Sequence, residues 1–508
     1  MRGRSGVPGR GYTAFALRCL AVAVSLCVCA PLHLSGQQCP DGTPAPCGAR
    51  AGALVRAAAP APHSVAVLPF ENHAGDTSLT LLAEGLAEQI NTNLGQVQRI
   101  VLTPPASVRF VLGRTPREPT RLARALGARW LVDGQLLSAR GNVRVSVQLI
   151  DVAGRRVRWT GAFQRPTEDL FAVISAVADS VATAIVGTLA PAERERLVQR
   201  PTANNGALLA YTRGVAALHH FDEPSVRYAA AAFDSAVAAD ASFADAWAGI
   251  AESQVWLDLY MPPRQVYPRA RVAAERALAL APGLARALAT LSMIANSYDW
   301  DPLRAESLAL AALRRDSTQG RARVYLADAL SAQGRADEAG RAYRIAVAAD
   351  TLDEEVAAEA ALGMAIALHD DEAVTLARRW HARRPRSEEW DFVEAVVLVE
   401  ARRCASSTLA SPLSFIALFC AGRTAEARVL ADSVVVQVER RDYYMRPDLL
   451  AWFFAGMGDR EAALRWFARG VEARTSLPVW ARVDPMWDAL RSDPRFVALL
   501  ERIKPAGR

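Results

Sequence analysis

The sequence predicts a multi-domain α+β/α protein, in which a mixed-sheet α/β sandwich is followed by an all-α superhelical solenoid. Between residues 64 and 190, short runs with the two-residue alternation of strands are interspersed with amphipathic helical segments. From residue 205 to 475, helix pairs recur with a period of about 34 residues. The 508 residues are 51% hydrophobic and 22% charged, which is enough chain and enough apolar surface for several cores.

The first 36 residues have the parts of a targeting segment. Basic residues precede an apolar run from Cys19 to Leu34, as in a secretory signal. We therefore interpret residues 1–36 as a signal peptide, or as a signal anchor if residues 14–34 stay in the membrane. Residues 37–63, rich in Ala, Pro and Gly, predict a linker. The folded part is then periplasmic or otherwise extracytoplasmic, or it is anchored to the membrane.

Four cysteines follow the targeting segment, an even number that is compatible with two disulfides. Cys39 and Cys47 could close a small loop that contains Pro and Gly, and Cys404 and Cys420 could join two neighbouring helices. The alternative for the second pair is that both are ordinary buried thiols.

The α/β part begins with a strand predicted over Ser64–Phe70. Val65 and Val67 favour a strand, and Pro69 limits how far its ladder can continue. Apolar residues then recur at three- and four-residue steps from Leu79 onward and predict an amphipathic helix. A short strand, "QRIVLTP", comes after it.

A second helix is predicted to end at Gly127 and to lead directly into another strand. The next strand alternates cleanly, with Val143, Val145, Val147 and Leu149 on one face. A turn at residues 153–154 leads back along "GRRVRWTGAFQ", and a long apolar helix follows. The order β-α-β-α-β-β-β-α predicts a mixed sheet covered by helices.

Five segments of this part resemble a known bacterial domain in their order and spacing: "SVAVLPFENHAGD", "AEGLAEQI", "GARWLVDGQL", "VRVSVQLIDV" and "DLFAVISAVADSVATAI". Together they are similar to the TolB amino-terminal-like domain, in which the usual form has "ENLSGD" where this chain has "ENHAGD". The polar position near Asp133 is retained. The resemblance implies a non-enzymatic domain that associates with other proteins, often between an anchoring or signalling segment and a helical repeat array.

The clearest repeat unit runs from Gly320 to Thr351. Small residues recur where two helices would cross, Gly334 marks the turn between them, and Tyr343 is the one large residue that would fill the gap to the next unit. This layout resembles the tetratricopeptide repeat (TPR). About seven such units are predicted over 205–475, and the segment 386–407 is the hardest to place.

Residues 476–508 are predicted to form C-terminal capping helices. Trp480, Trp487 and Phe496 are expected to pack on the last unit and to shield its apolar face.

The TPR resemblance implies a concave face, lined by the first helix of each unit, that binds a protein or an extended peptide. The positions expected to be exposed there and to contact a partner are Ala251, Gln254, Arg321, Arg323 and Asp328.

Short motifs of catalysis and metal binding are missing from the sequence. The loop after the first strand has Gly75 alone near its turn and no lysine, so it does not fit a phosphate loop. The histidines of "HHFDE" (219–223) diverge on a helix and are interpreted as structural. The basic segment 378–386 is interpreted as a solvated helix end. The sequence therefore predicts no catalytic residue, no metal, no cofactor and no nucleic-acid partner.

The preferred functional prediction is a non-enzymatic protein–protein interaction scaffold or sensor at the bacterial cell envelope, which could also self-associate. The alternative is a membrane-tethered cytoplasmic signalling or transcriptional regulator that lacks its effector domain. A third hypothesis is an enzyme whose site in the groove has no recognisable motif.

Overall fold

The computed structural model describes residues 60–503, apart from 75–78, 140–141, 167–169, 221, 369–370, 385–386 and 405–414. These residues belong to one compact unit, Pro60–Arg508. The predicted targeting segment, almost all of the linker, and Cys39 and Cys47 lie outside the described residues. In the part of the chain that is described, no helix is both long and apolar enough to span a membrane.

A mixed sheet forms the centre of the first part. Its strands are β1 (Ser64–Val67), β2 (Glu71–Asn72), β3 (Val101–Leu102), β4 (Trp130–Ala139), β5 (Asn142–Asp151) and β6 (Arg156–Pro166). The strand order is β3-β1-β4-β5-β6, and β2 pairs with β4 beyond the end of β1. β1 runs parallel to β3 and β4, whereas β4, β5 and β6 are antiparallel neighbours.

Helices pack on both faces of this sheet. They are α1 (Thr80–Leu94), α2 (Pro105–Leu112), α3 (Pro119–Leu126), α4 (Leu170–Val186) and α5 (Pro191–Leu197). The alternation of β1 divides its side chains between the faces: Val65 and Val67 share a core with α1 and α4, and Ala66 and Leu68 share one with α2 and α3. The predicted mixed sheet covered by helices is therefore present.

Several details differ from the sequence predictions, which did not include the short elements β2 and α5. β1 ends at Val67 rather than at Phe70, because Pro69 has no N–H to donate to the ladder. α2 was not predicted, since its eight residues are too few to show a helical period, although proline at its start is typical of a first helical turn. Gly127 ends α3 with a φ of 61°, as predicted.

The rest of the chain is helical. Its helices are α6 (Asn205–Leu218), α7 (Glu223–Ala239), α8 (Ala244–Trp256), α9 (Pro263–Leu280), α10 (Ala285–Ser297), α11 (Pro302–Arg315), α12 (Gly320–Ala332), α13 (Ala336–Ala349), α14 (Glu354–Leu368), α15 (Asp371–Arg383), α16 (Glu388–Glu400), α17 (Phe415–Cys420), α18 (Thr424–Arg440), α19 (Pro447–Gly456), α20 (Arg460–Ala473) and α21 (Pro494–Leu500). Short 3-10 helices lie at Leu257–Leu259, Leu477–Trp480 and Pro485–Leu490.

Most of these helices are arranged as pairs of chain neighbours. The pairs within the described residues are α6/α7, α8/α9, α10/α11, α12/α13, α14/α15, α17/α18 and α19/α20, with α16 between the fifth and the sixth pair. The first helices of successive pairs, from α6 to α14, also pack on one another and form a continuous layer. Because α16 lies outside the pairs, residues 386–407 do not fit the repeat in the sequence.

Aromatic residues of second helices fit against glycines of first helices. Phe233 of α7 lies against Gly214 of α6 and Gly249 of α8, where an added Cβ would come within 2.8 and 2.7 Å of the ring. Tyr343 of α13 likewise lies against Gly363 of α14. These contacts follow the small-and-large pattern that the sequence predicts.

The α/β part packs directly on the helical array. α1 contacts α6, and α2 contacts α14. The Ser107 hydroxyl donates to Oδ1 of Asp350 at 2.6 Å, which joins α2 to the end of α13. Trp380 is fully buried between Phe110 of α2 and Trp390 of α16, with ring centroids 4.8 and 5.8 Å away. Trp380 therefore contributes to the contact between the α/β part and the helical array.

The C-terminal end of the array packs against its third helix pair, α10/α11. Trp300 Nε1 donates to the carbonyl oxygen of Thr475 at 3.0 Å, and Arg474 Nε donates to that of Tyr298 at 2.9 Å. Beyond this contact, Trp487 and Phe496 each lie 4.8 Å from the ring of Phe467 in α20 and cover it.

Candidate functional site

A cavity of about 390 Å³ lies where the α/β part meets the first helices of the array. Its lining comes from α1 and α2 on one side and from α6, α8, α10, α12 and α14 on the other. Pockets that bind small molecules usually measure about 300–1,000 Å³. We call this the central cavity.

Five polar side chains form one wall of the central cavity, each from a different helix. Arg286 donates to the Tyr211 hydroxyl at 2.9 Å and to Glu252 at 2.6 Å. Arg321 donates to the other oxygen of Glu252 at 2.9 Å and also to Glu355. The resulting series, Tyr211–Arg286–Glu252–Arg321–Glu355, is named the charge chain below. It connects α6, α10, α8, α12 and α14.

The helical repeat explains why these charges meet. Arg286, Arg321 and Glu355 are each the second residue of their helix. They are separated by 35 and 34 positions, close to the repeat period, so stacking of the pairs brings them side by side. Glu252 comes from the second half of α8 and lies between the two arginines.

The opposite wall carries a second group of charges. Arg109 of α2 donates to Oε1 of Glu88 in α1 at 2.7 Å, and Nε2 of His219 lies 3.3 Å from the same oxygen. Among the described residues, the other ring nitrogen of His219, Nδ1, is buried and has no hydrogen-bond partner. The hydrogen-bonding capacity of this nitrogen is therefore unused in the described structure.

The pKa values show which charged forms the cavity stabilises. Burial alone would raise the pKa of Glu252, but Arg286 and Arg321 outweigh it and lower that pKa to about 2. Burial raises the pKa of Tyr211 to about 12, so its hydroxyl stays protonated. For Glu355 burial prevails over Arg321, and its pKa is raised above its ordinary value.

Two further carboxyl groups lie next to the charge chain. Burial raises the pKa of Asp328 to about 7, although the Tyr343 hydroxyl donates to it at 2.5 Å. Burial likewise raises the pKa of Glu359 to about 8, against the attraction of Arg321. One oxygen of Glu359, Oε2, is buried without a hydrogen-bond partner in the described part of the chain. Glu359 is therefore the least compensated acid near the cavity.

The structure changes the interpretation of the predicted partner-binding residues. Ala251 is fully buried and Gln254 is 5% exposed, so the prediction that they are exposed is wrong. Both lie on faces of α8 that are covered by neighbouring helices. Arg321 lines the central cavity, Arg323 donates to the carbonyl of Ser317 at 2.7 Å, and Asp328 is bound by Tyr343. The last three are half-buried rather than exposed, and a role for them in binding a partner stays a prediction.

Cys404 and Cys420 are joined by a disulfide, with 4.7 Å between their Cα atoms. The bond connects the end of α16 to α17 across residues 405–414. The alternative of two free buried thiols is not what the structure contains.

Sequence reasoning missed most of the cavity. Glu88, Arg109, Tyr211, Glu252 and Arg286 were not singled out, and His219 was interpreted as structural. One signal was available: charged residues stand at the same position of successive first helices. No group of three or more His, Cys, Asp or Glu side chains that could hold a metal is found in the described ranges. The lining can bind a polar molecule through ion pairs and hydrogen bonds.

Comparison with known proteins gives one informative similarity. No family model matches the chain. The chain is 28% identical over 292 residues to the protein named "Putative adenylate cyclase 3" of Rhizobium meliloti (strain 1021). The match covers 56% of this chain and 43% of that protein. The chain thus spans less than half the length of this relative.

This similarity corrects two predictions. The prediction of a plain protein-interaction scaffold at the cell envelope is wrong, because the relative is named "Putative adenylate cyclase 3" and adenylate cyclases are signalling enzymes. The prediction that the chain is not an enzyme is contradicted by the same similarity. Short motifs test only local spacing, and a site assembled from distant residues leaves no such spacing. The alternative prediction, a signalling regulator, agrees better with the match.

Proposed function

We propose that this chain is a signalling regulator that works with a nucleotide cyclase and receives its signal in the central cavity. The similarity to a protein named as an adenylate cyclase carries the proposal. The relative's name also suggests cyclase activity of the chain itself, which is therefore the second candidate.

The position of the central cavity supports a regulatory role. Its lining combines α1 and α2 of the α/β part with five helices of the array. A molecule bound there contacts both parts, so its affinity depends on how they are placed relative to each other. By linkage, binding then favours one placement over others. A signalling regulator needs such a coupling.

The architecture also supports the resemblances noted in the sequence. A small mixed sheet followed by helix pairs is what a TolB amino-terminal-like domain and a TPR array would form. We include both assignments in the proposal.

The disulfide supports an extracytoplasmic regulator rather than the cytoplasmic one of the alternative prediction, since such bonds persist mainly in oxidising compartments. Residues 14–34 remain the proposed signal or membrane tether. Labelling of thiols in intact cells, with and without prior reduction, tests this placement. We expect Cys404 and Cys420 to label only after reduction. Labelling of both without reduction would place the array in a reducing compartment.

The function is tested by deleting the gene in its own cells and measuring cyclic AMP and cyclic GMP. We expect the level of one of them to change at least about twofold and to recover when the wild-type chain is restored. Val215→Trp, which fills the cavity, should not restore it. Val272→Trp, the same change at a position that is 64% exposed, should restore it.

The purified chain, supplied with ATP and Mg²⁺ or Mn²⁺, separates the two candidates. Formation of cyclic AMP by the chain alone would make it a cyclase. Absence of turnover together with altered cellular levels supports the regulator. Unchanged levels of both nucleotides and no turnover would overturn both candidates.

A further inference from the structure

The charges of the central cavity are almost balanced. Its lining holds three arginines and four carboxylates: Arg109, Arg286, Arg321, Glu88, Glu252, Asp353 and Glu355. Protonation of His219 would make the balance complete. A polyanion such as a nucleoside triphosphate would meet four carboxylates, and a dication would meet three guanidinium groups. The lining therefore matches a ligand that has no net charge.

The lining is nevertheless not like a neutral surface, because its charges are ion-paired within two separate groups. Arg109 and His219 surround Glu88 on the wall that α1 and α2 contribute to. On the wall formed by the array, Arg286 and Arg321 bind Glu252 and Glu355, and Asp353 also lines the cavity there. A molecule with separate anionic and cationic groups can exchange contacts with both walls.

His219 adds an independent observation. Its Nδ1 is buried and has no partner among the described residues, whereas Nε2 faces Glu88. A buried polar atom without a partner is costly unless a bound molecule satisfies it. Once the side chains that cover Nδ1 move aside, protonated His219 can donate from Nδ1 to a ligand carboxylate while Nε2 still donates to Glu88.

The remaining lining is apolar and aromatic. Trp256, Tyr325 and Met293 line the cavity, together with Val215, Val255 and other aliphatic side chains. The guanidinium of Arg321 lies 5.0 Å from the centroid of the Trp256 ring, so this ring is held in place by a cation–π contact. These surfaces would contact an apolar or aromatic substituent of the ligand.

We propose that the central cavity binds a small zwitterion of the amino-acid type, with a free carboxylate, a free ammonium group and an apolar side chain. Arg109 and His219 receive the carboxylate, and Glu252, Asp353 and Glu355 surround the ammonium group. The inference rests on the proposed function, since it names the chemical class of the signal, but binding itself does not require a cyclase.

The test is isothermal titration calorimetry of the purified full chain with the L-amino acids one by one. We expect saturable binding of at least one apolar or aromatic amino acid. Its N-acetyl derivative and its carboxamide, each of which lacks one charge, should bind about tenfold more weakly or worse. ATP, cyclic AMP and inorganic phosphate should bind more weakly than the best amino acid.

Variants assign the binding to this cavity. Val215→Trp should abolish it and Val272→Trp should leave it unchanged. If Val215→Trp does not fold, Arg109→Gln is used instead. It should lower the affinity for the amino acid, and circular dichroism should show that it still folds. Binding that survives Val215→Trp in a folded chain would overturn the proposed site.

The outcome for the ligand class is independent of the outcome for function. Absence of binding by every amino acid, or tighter binding of ATP or cyclic AMP, would overturn the zwitterion and leave the cellular cyclic-nucleotide result untouched. If an amino acid binds and cyclic-nucleotide levels are unchanged, the proposed function is overturned but the proposed ligand class stands.

Discussion

Replacing Glu252 by Gln tests whether the charge chain holds the helical array together. Glu252 accepts from both Arg286 and Arg321, and its side chain is 19% exposed. Its pKa is about 2 in the folded chain, against an ordinary value of 4.5. At about 1.4 kcal/mol for each pKa unit, the ionised form stabilises the fold by about 3 kcal/mol at neutral pH. Glutamine keeps the shape and removes the charge, so the free energy of unfolding should fall by about this amount.

Urea denaturation at pH 7, followed by circular dichroism, measures the effect. Glu439→Gln is the matched control, because Glu439 is 48% exposed and its ion pair with Arg469 lies on the surface. This control should cost less than about 1 kcal/mol. Equal small costs of the two variants would refute the argument that the charge chain is held by burial.

The pH dependence of stability gives a second test of Glu252→Gln. Because the folded pKa of Glu252 lies below its unfolded value, its contribution is complete above pH 4.5 and is lost as the pH falls towards about 2. The difference in stability between the wild-type chain and Glu252→Gln should therefore shrink over this range. If this difference in stability stays constant from neutral pH downwards, the carboxylate charge of Glu252 does not stabilise the fold.

Three further predictions concern the array. Glu359→Gln should make the chain up to about 5 kcal/mol more stable at pH 9, at about 1.4 kcal/mol for each pKa unit, because a carboxyl with a folded pKa of about 8 adds stability below its unfolded value of 4.5 and loses it as the pH rises through 8. Gly363→Ala should lower the free energy of unfolding by about 1–3 kcal/mol, since the new Cβ would lie 2.2 Å from the Tyr343 hydroxyl. Replacing Cys404 and Cys420 by Ser should cost about 3 kcal/mol, because the bond closes a loop over a separation of 16 residues.

Each of these predictions has its own control in denaturation experiments. For Glu359→Gln, the stabilisation should disappear below about pH 5, and a gain that persists there would contradict its cause. Gly113→Ala matches Gly363→Ala, because its new Cβ would lie no closer than 3.7 Å to any neighbour, and it should cost nothing. For the cysteine pair, reduction of the wild-type chain should reproduce the loss that the double variant shows.

Local patterns in the sequence predict the elements well. The alternation of Val143, Val145, Val147 and Leu149 gives the buried face of β5, on which every one of these side chains is at most 3% exposed. Gly127 ends α3 because glycine adopts a positive φ without strain. Pro69 has a local effect too, and it ends β1 slightly earlier than predicted. These features depend on neighbours within a few positions along the chain.

The candidate site could not be found in the same way. Exposure of Ala251 and Gln254 was predicted from an array considered alone, whereas both are covered by packed helices. His219 has a role only because α1 brings Glu88 to within 3.3 Å of it. The charge chain joins residues that are up to 144 positions apart, from Tyr211 to Glu355. No short window of sequence contains such a set.

The sequence by itself therefore determined the two kinds of fold, the order of most strands and helices along the chain, and the repeated small and aromatic positions where helices cross. Periodicity and turn chemistry act over a few residues, and they can be read without knowing the packing. Tertiary structure alone decided where the α/β part packs on the array and which charges face each other across the central cavity. The energy of a buried charge depends on its partners and on its removal from water, and both are fixed only when distant helices come together.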